Sequence, residues 1–497
     1  MARAALRVVC YAVNGTGVGH VTRLLSIARW LRRYAAALGQ KLEIWFLTSS
    51  EADGLAFAEG FAAFKIPSKT VVGEAGIDRI AYRALAKQWI WHTLGLLRPD
   101  LLIVDTFPRG SFGELLGALD LCRHAAFVYR PVRPEVAGRP DFQAMLSSYD
   151  LIVVPETDSD VLAPAAVKDR LVHVGPVLSR ERWELLPREV ARERLGVAAD
   201  RPCVFVSAGG GGDRDAVAQI ERTVRDLSRD PGLEVVVGAG ALYRGRPFPG
   251  VTTLSGHAAE WLLAFDAAVC AAGYNTFGEL MFAGVPTVFL PQEKLADDQR
   301  ARAELAVARG AASLAAPGTE VLIAVKDLLG RPGAAAAARA LVPENGARLA
   351  AAELLRLVCP AAQVDRVEAA LDDALLASIP ACELDVLALA SHLVHGCEAQ
   401  LADAVHHANL LLRDRDLREV RGLVDAVVRG LPEAGVAARA AVCEAALVEL
   451  VTLRPGEGAT ARAALAEGRW GAGGDGVSLA RAMRDYGLAS SSLLSAK

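Results

Sequence analysis

The chain has 497 residues, 53% of them hydrophobic and 23% charged, with a formal net charge of −4. That is too long for one core and suggests about three domains. The composition is that of a packed globular protein, and the mild acidity excludes the strongly basic face of a nucleic-acid binder. No stretch reaches the roughly 18 uninterrupted apolar residues of a spanning helix. Met1 to Val13 is too short an apolar run, and too soon followed by Gly15, to be a signal peptide. The expected location is cytoplasmic, with at most peripheral membrane contact. Eight cysteines are scattered without a CxxC pair, several inside apolar runs such as Val9-Cys10-Tyr11 and Val269-Cys270-Ala271. They read as buried small hydrophobes in a reducing compartment.

In chain order, Leu6–Val13 reads as an apolar strand, followed by a glycine loop and a helix over Thr22–Ala37. Strands follow at Leu42–Leu47, Leu101–Val104, Ala125–Tyr129 and Leu151–Val154. Continuous apolar strands separated by helices predict a parallel sheet covered on both faces. Leu178–Leu195 reads as a charged linker with a short helix. The pattern then restarts: strand Cys203–Val206, glycine loop Ala208–Gly212, helix Asp213–Leu227, and strands at Leu233–Val237, Val251–Leu254, Ala267–Cys270 and Thr287–Leu290. From about residue 360 the glycine loops thin out and Ala-, Leu- and Glu-rich amphipathic segments take over, among them Val364–Leu376 and Cys382–His395. The expected architecture is α/β, with two Rossmann-like domains (1–170 and 171–358) and an all-helical C-terminal domain (359–497) of unknown role. The last of these is a candidate for dimerisation or for docking a protein partner.

The first strand runs into Asn14-Gly15-Thr16-Gly17-Val18-Gly19-His20-Val21-Thr22-Arg23. Gly15, Gly17 and Gly19 let a substrate or phosphate approach the backbone and a helix N-terminus. The loop fits a dinucleotide fingerprint badly. His20 stands where the third glycine of GxGxxG belongs, and Phe46-Leu47-Thr48-Ser49-Ser50 lacks the acid that holds an adenosine ribose. His20 itself is either a general base or a histidine that packs the loop.

The second glycine turn is richer. Strand Ala267–Cys270 leads into Ala271-Ala272-Gly273-Tyr274-Asn275-Thr276-Phe277-Gly278-Glu279-Leu280, with a helix expected from near Asn275 to about Ala283. Its free N–H groups and positive dipole end suit an anion. Glu279, one turn in, can accept both hydroxyls of a ribose. After the next strand, Asp298 and Gln299 offer groups suited to sugar hydroxyls, although Asp297 or Asp298 also reads as a helix cap.

In combination, GTGVGHVTR (15–23), RPDLLIVDTFPRGSFGEL (98–115), AAGYNTFGELMFAGVPTVFLPQ (271–292), DDQRARAE (297–304) and ENGARLAAAELL (344–355) make the chain resemble a family. It is similar to GT-B glycosyltransferases related to the peptidoglycan N-acetylglucosaminyltransferase (family 28) and to a group of bacterial predicted glycosyltransferases, over roughly residues 6–358. The resemblance implies that Gly209, Gly210, Gly211 and Gly212, with the helix start at Gly273, Asn275 and Thr276, hold a diphosphate. It implies that the loop containing Ser255 and His257 holds the base through its backbone, that Glu279 binds the ribose, and that Asp298 and Gln299 bind the donor sugar. His20 would face the acceptor. The peptidoglycan enzyme has paired glutamines where Asp298-Gln299 stand, which leaves the donor sugar open, and a serine in its phosphate loop where Gly210 stands, so that one side-chain donor is missing here.

The implied reaction is inverting transfer of a sugar from a nucleotide diphosphate, with uridine the expected base, to a hydroxyl acceptor. The nucleotide sugar is a co-substrate, and no cofactor or metal is called for, because helix dipoles and backbone amides can neutralise the departing diphosphate. His20 is the first candidate base. Asp105, at the carboxyl edge of a strand, is the second. A 2-epimerase of nucleotide sugars and a non-catalytic sugar-nucleotide sensor are the alternatives. Two weaker features remain. His392, His395, Cys397, His406 and His407 crowd together, a pattern more often polar-face or core histidines than a zinc site. Tyr82–Trp91 mixes aromatic and basic residues and reads as helix core with snorkelling bases rather than a membrane contact.

Overall fold

The structure is a computed structural model and describes residues 5–13, 17–38, 40–207, 209–212, 214–246, 248–254, 258–294, 296–316 and 318–370. Residues 7–30 and 43–359 form one compact unit, and 1–6, 31–42 and 360–497 belong to a second. The candidate site lies in the first. In the second unit, the helix Ala361–Ala370 is described, and Tyr34 Oη donates to Glu368 Oε1 at 3.4 Å. The amphipathic segments expected beyond residue 370, including the histidine cluster, lie outside the described residues.

Seven strands form the first sheet: β1 (Leu6–Ala12), β2 (Leu42–Thr48), β3 (Ala62–Lys65), β4 (Leu101–Asp105), β5 (His124–Val128), β6 (Leu151–Val154) and β7 (Leu171–His173). Their order is β3-β2-β1-β4-β5-β6-β7. Six more form the second: β8 (Cys203–Ser207), β9 (Glu234–Gly238), β10 (Thr252–Leu254), β11 (Ala267–Cys270), β12 (Thr287–Phe289) and β13 (Ala312–Leu314), in the order β10-β9-β8-β11-β12-β13. The pairings β1–β4 and β8–β11 are parallel, with Tyr11 opposite Val104 and Cys270 opposite Ser207. This is the doubly wound order, reversing direction between β1 and β4 and again between β8 and β11. The expected α/β class with two Rossmann-like sheets is thus what the chain forms.

The central strands read clearly because they are apolar throughout; Leu101, Leu102, Ile103 and Val104 are each fully buried. Each sheet needs cover on both faces. In the second, Phe205, Val236 and Phe289 pack one way, while Val204, Val206, Val237 and Val288 pack the other. The strands that escape a sequence reading are β3, β7 and β13. Each is three or four residues long, and none is wholly buried. Half-exposed edge strands this short carry no continuous apolar signal.

Five helices frame the site and its support: α1 (Gly19–Ala37), α2 (Arg79–Leu97), α3 (Arg214–Leu227), α4 (Tyr274–Ala283) and α5 (Gln299–Ala308). Helix α1 begins three residues earlier than the apolar pattern suggests, which places His20 in its first turn. Helix α2 buries Tyr82, Ala86, Ile90 and Leu94, an i, i+4 stripe, while Lys87 lies over the Trp91 ring at 5.3 Å. The aromatic and basic mixture is therefore core with bases laid along it. The described cysteines Cys10, Cys122, Cys203 and Cys270 are free, and burial pushes the Cys203 thiol up to about 12.

One glycine fixes the second sheet's loop. Gly211 has φ 77°, and a Cβ there would lie 2.4 Å from the Ala239 carbonyl oxygen and 2.7 Å from the Tyr243 nitrogen. Backbone cannot yield as a side chain can. Gly211→Ala is expected to destabilise the protein by about 1–3 kcal/mol, read as a fall in denaturation midpoint. A midpoint equal to the parent's would show that the loop relaxes.

Candidate active site

The turns at both reversal points face one cleft of about 360 Å³. From the first sheet come Gly17, Gly19 and His20, after β1. From the second come Gly209 to Gly212, after β8, and Gly273, Asn275, Thr276 and Glu279, after β11, with Gln299 from the start of α5. Ligands of doubly wound sheets bind beyond the carboxyl ends of the strands at these points, because the two flanking loops diverge there. Gly15 lies outside the described residues, as do Ser255 and His257.

His20 and Asp105 form a pair. His20 Nδ1 lies 2.5 Å from Asp105 Oδ2. Asp105 closes β4 and is wholly buried, and it does not line the cleft. The structure thus brings the two candidate bases together, with Asp105 behind the imidazole and away from the cleft wall. Burial alone would raise its carboxyl, yet Arg23, His20 and Thr106 together hold it below the usual range. Arg23 Nη1 reaches Asp105 Oδ1 at 3.3 Å, and Thr106 Oγ1 donates to Oδ2 at 2.9 Å. An ionised carboxylate accepts the Nδ1–H of His20, which leaves Nε2 as the acceptor atom of the ring. Burial depresses the His20 imidazole below its ordinary value, and although Asp105 works against this, the nearby Arg23 and Arg130 charges reinforce it. The ring also contacts Phe107, with centroids 5.5 Å apart.

The loop after β4 is built to hold Asp105 in place. Thr106 has φ 63°, a left-handed conformation that a β-branched residue adopts only under constraint. Further on, Glu114 is fully buried and accepts from Tyr11 Oη at 2.5 Å and from the N–H groups of Ser111 and Phe112. That internal carboxylate ties the loop to β1.

On the facing side, Gly273 is the N-cap of α4, so the first N–H groups of that helix open towards the cleft. Glu279 Oε1 accepts from Ser179 Oγ at 2.5 Å, and the Ser179 carbonyl accepts from Arg29 Nη1 at 2.7 Å. The Asn275 side chain is turned to α1: its Nδ2 donates to Gly19 O at 3.2 Å and to Thr22 Oγ1 at 2.6 Å. Only its backbone remains for an anion. Gln299 is buried at the wall, with Oε1 accepting from the Gln292 N–H at 3.0 Å.

Asp298 does not join them. It is exposed, is absent from the cleft wall, and its Oδ1 accepts from Ala301 N at 3.0 Å as the N-cap of α5. The capping role wins because an aspartate just before a helix satisfies an otherwise orphaned N–H. Its neighbour Asp297 does line the cleft, and its Oδ1 accepts from Arg130 Nη1 and from Arg302 Nη2, each at 2.8 Å. Arg23, Arg130 and Tyr274 also line the cleft, and the sequence reading assigns them no role. Arg130 follows β5, at the same carboxyl edge as Asp105, and the rule that flags Asp105 also flags it.

A carboxylate behind an imidazole thus faces a glycine loop and a helix N-terminus across a cleft between two α/β sheets. No family model matches the chain. Over 66 residues it is 35% identical to an uncharacterized glycosyltransferase of Methanopyrus kandleri, covering 13% of this chain and 19% of that one. Over 157 residues it is 26% identical to the UDP-N-acetylglucosamine–N-acetylmuramyl-(pentapeptide) pyrophosphoryl-undecaprenol N-acetylglucosamine transferase of Acetivibrio thermocellus, covering 30% of this chain and 42% of that one. The chain thus spans less than half the length of these curated relatives. Among solved structures, it aligns with MurG of Acinetobacter baumannii at 16% identity and TM-score 0.45, covering 71% of this chain and 99% of that one. The chain is similar to glycosyltransferases of the peptidoglycan N-acetylglucosaminyltransferase type, the resemblance its motifs carry. No described helix is long and apolar enough to cross a membrane.

Proposed function

We propose that the protein transfers a sugar from a nucleotide diphosphate sugar, with uridine the expected base, to the hydroxyl of an acceptor, with inversion and without a metal. The observation that carries the reading is the His20–Asp105 pair, set in the same cleft as the glycine loop Gly209–Gly212 and the N-terminus of α4. In the proposed step, His20 Nε2 takes the acceptor's hydroxyl proton as that oxygen bonds to the anomeric carbon. The bond from that carbon to the diphosphate oxygen breaks on the opposite face. Asp105 stabilises the imidazolium that forms. Charge developing on the leaving diphosphate meets the free N–H groups of α4 and of the glycine loop, which need no reorganisation. In this reading Glu279, whose carboxylate bonds Ser179, accepts the ribose hydroxyls, and the cleft-lining Gln299 and Asp297 bind hydroxyls of the donor sugar.

The pH dependence follows from His20. Only the neutral imidazole is a base, and its pKa lies below the ordinary 6.5. The acidic limb of kcat/KM for turnover of a UDP-sugar is expected to have its midpoint below pH 6.5. A limb centred above 6.5 would mean that His20 is not the titrating base. Stability moves the same way. The unfolded chain binds the His20 proton first, so this contribution is lost as pH drops below 6.5.

A further inference from the structure

Ser207 is the last residue of β8, with Cys270 of β11 beside it in register. It is 6% exposed, yet it lines the cleft. Its Oγ accepts from the Gly209 N–H at 3.1 Å, and its own O–H has no acceptor among the described residues. A buried hydroxyl ordinarily spends its proton, and one that already accepts from an N–H is polarised into a better donor. Other hydroxyls at the wall are spent. Thr22 Oγ1 donates to the Val18 and Gly19 carbonyls, and the Tyr274 hydroxyl donates to the Pro155 carbonyl. The unspent O–H of Ser207 stands where the glycine loop after β8 and the first turn of α4 after β11 diverge.

The glycine loop itself offers backbone only. A Cβ at Gly210 would lie 3.2 Å from Val18 N and 3.3 Å from Val18 Cγ1, so the glycine loop of the first sheet closes over this position and crowds a side chain there. The Leu242 N–H donates to the Gly210 carbonyl at 2.9 Å and fixes the loop from its other side. Within the same loop, the Gly209 N–H is already engaged by Ser207. From the strand beneath, Ser207 offers the hydroxyl that position 210 does not carry.

We propose that the Ser207 hydroxyl donates to a phosphate oxygen of the nucleotide diphosphate, as a side-chain member of the donor site; the inference rests on the proposed transferase activity. The polarity fits. A phosphate oxygen only accepts, and the function that Ser207 has left is a donor. The Gly209 N–H, the Ser207 hydroxyl and the phosphate oxygen then form one chain of hydrogen bonds whose last member is charge-assisted. The same O–H meets the charge that develops on the diphosphate as it leaves.

The test is calorimetric titration of the full chain with UDP, UDP-α-S and UDP-β-S, in which sulfur, a poor hydrogen-bond acceptor, replaces one phosphate oxygen. Ser207→Ala should weaken UDP by about tenfold. In the parent, sulfur at the contacted phosphate should weaken binding further. In Ser207→Ala that sulfur penalty should vanish, because the hydroxyl it acts on is gone. Ser207→Cys keeps the shape of the side chain but offers only a weak S–H donor, so it should lose UDP affinity as alanine does. If Ser207→Ala or Ser207→Cys binds UDP within about twofold of the parent, the inference falls and the transferase reading stands. The inference also falls if Ser207→Ala weakens UDP but leaves the sulfur penalties at both phosphates unchanged, because the serine then only holds Gly209. If the parent does not bind UDP at all, the reading falls and takes the inference with it.

Discussion

His20→Ala is expected to lower the turnover of a UDP-sugar by about 10²–10⁴-fold while leaving UDP affinity unchanged, because the ring moves a proton rather than holding the nucleotide. Asp105→Asn should reach a comparable loss by a different route. The amide cannot accept the Nδ1–H as a carboxylate does, so the imidazole loses both its tautomer and the charge that stabilises its protonated form. The double variant should then be little worse than either single one, because the two residues act as a unit. Steady-state kinetics with parallel UDP titrations measure both quantities. Multiplicative losses would show that Asp105 acts independently of His20. The Asp105 variant must be checked for folding, since Arg23 loses its ion-pair partner in the interior.

The second large effect belongs to Glu279. Glu279→Ala removes the proposed acceptor for the ribose hydroxyls and leaves the Ser179 hydroxyl without its partner. Hydrogen bonds to a charged group contribute about 1.5–3 kcal/mol each, so UDP affinity should fall by at least about tenfold. The loss should appear with UDP and with UDP-sugars alike, and should vanish for a probe without ribose hydroxyls, such as the 2′,3′-dideoxy nucleotide. An equal loss with the dideoxy compound would mean that Glu279 holds the loop rather than the ribose.

Much of this architecture is legible in the sequence, for identifiable reasons. Buried parallel strands are apolar throughout, so Leu101–Val104 or Cys203–Val206 declare themselves. Glycine turns after strands mark the reversal points of doubly wound sheets, so Gly19-His20 and Gly273 to Glu279 fall on the cleft. What is not legible depends on side-chain direction. Asp297 and Asp298 are adjacent and chemically alike, and only the helix start decides that Asp298 caps α5 while Asp297 turns inwards to Arg130. Asp105 ends β4 and Arg130 follows β5 at the same edge, yet one is sealed behind His20 and the other lines the cleft. The gathering of Arg23, Arg130 and Arg302 around Tyr274 joins positions that are up to 279 residues apart, from Arg23 to Arg302, and no local pattern announces it.

The nucleotide-sugar assignment is tested most directly by the thermal stability of the full chain against UDP, UDP-sugars, other nucleotides and NAD, each with and without EDTA. A ligand at one hundred times its dissociation constant adds about 2.7 kcal/mol, an easily read shift. Stabilisation by UDP or a UDP-sugar that is indifferent to the chelator and lost in Glu279→Ala is the predicted result. Stabilisation by NAD alone, or by no nucleotide, would contradict the assignment.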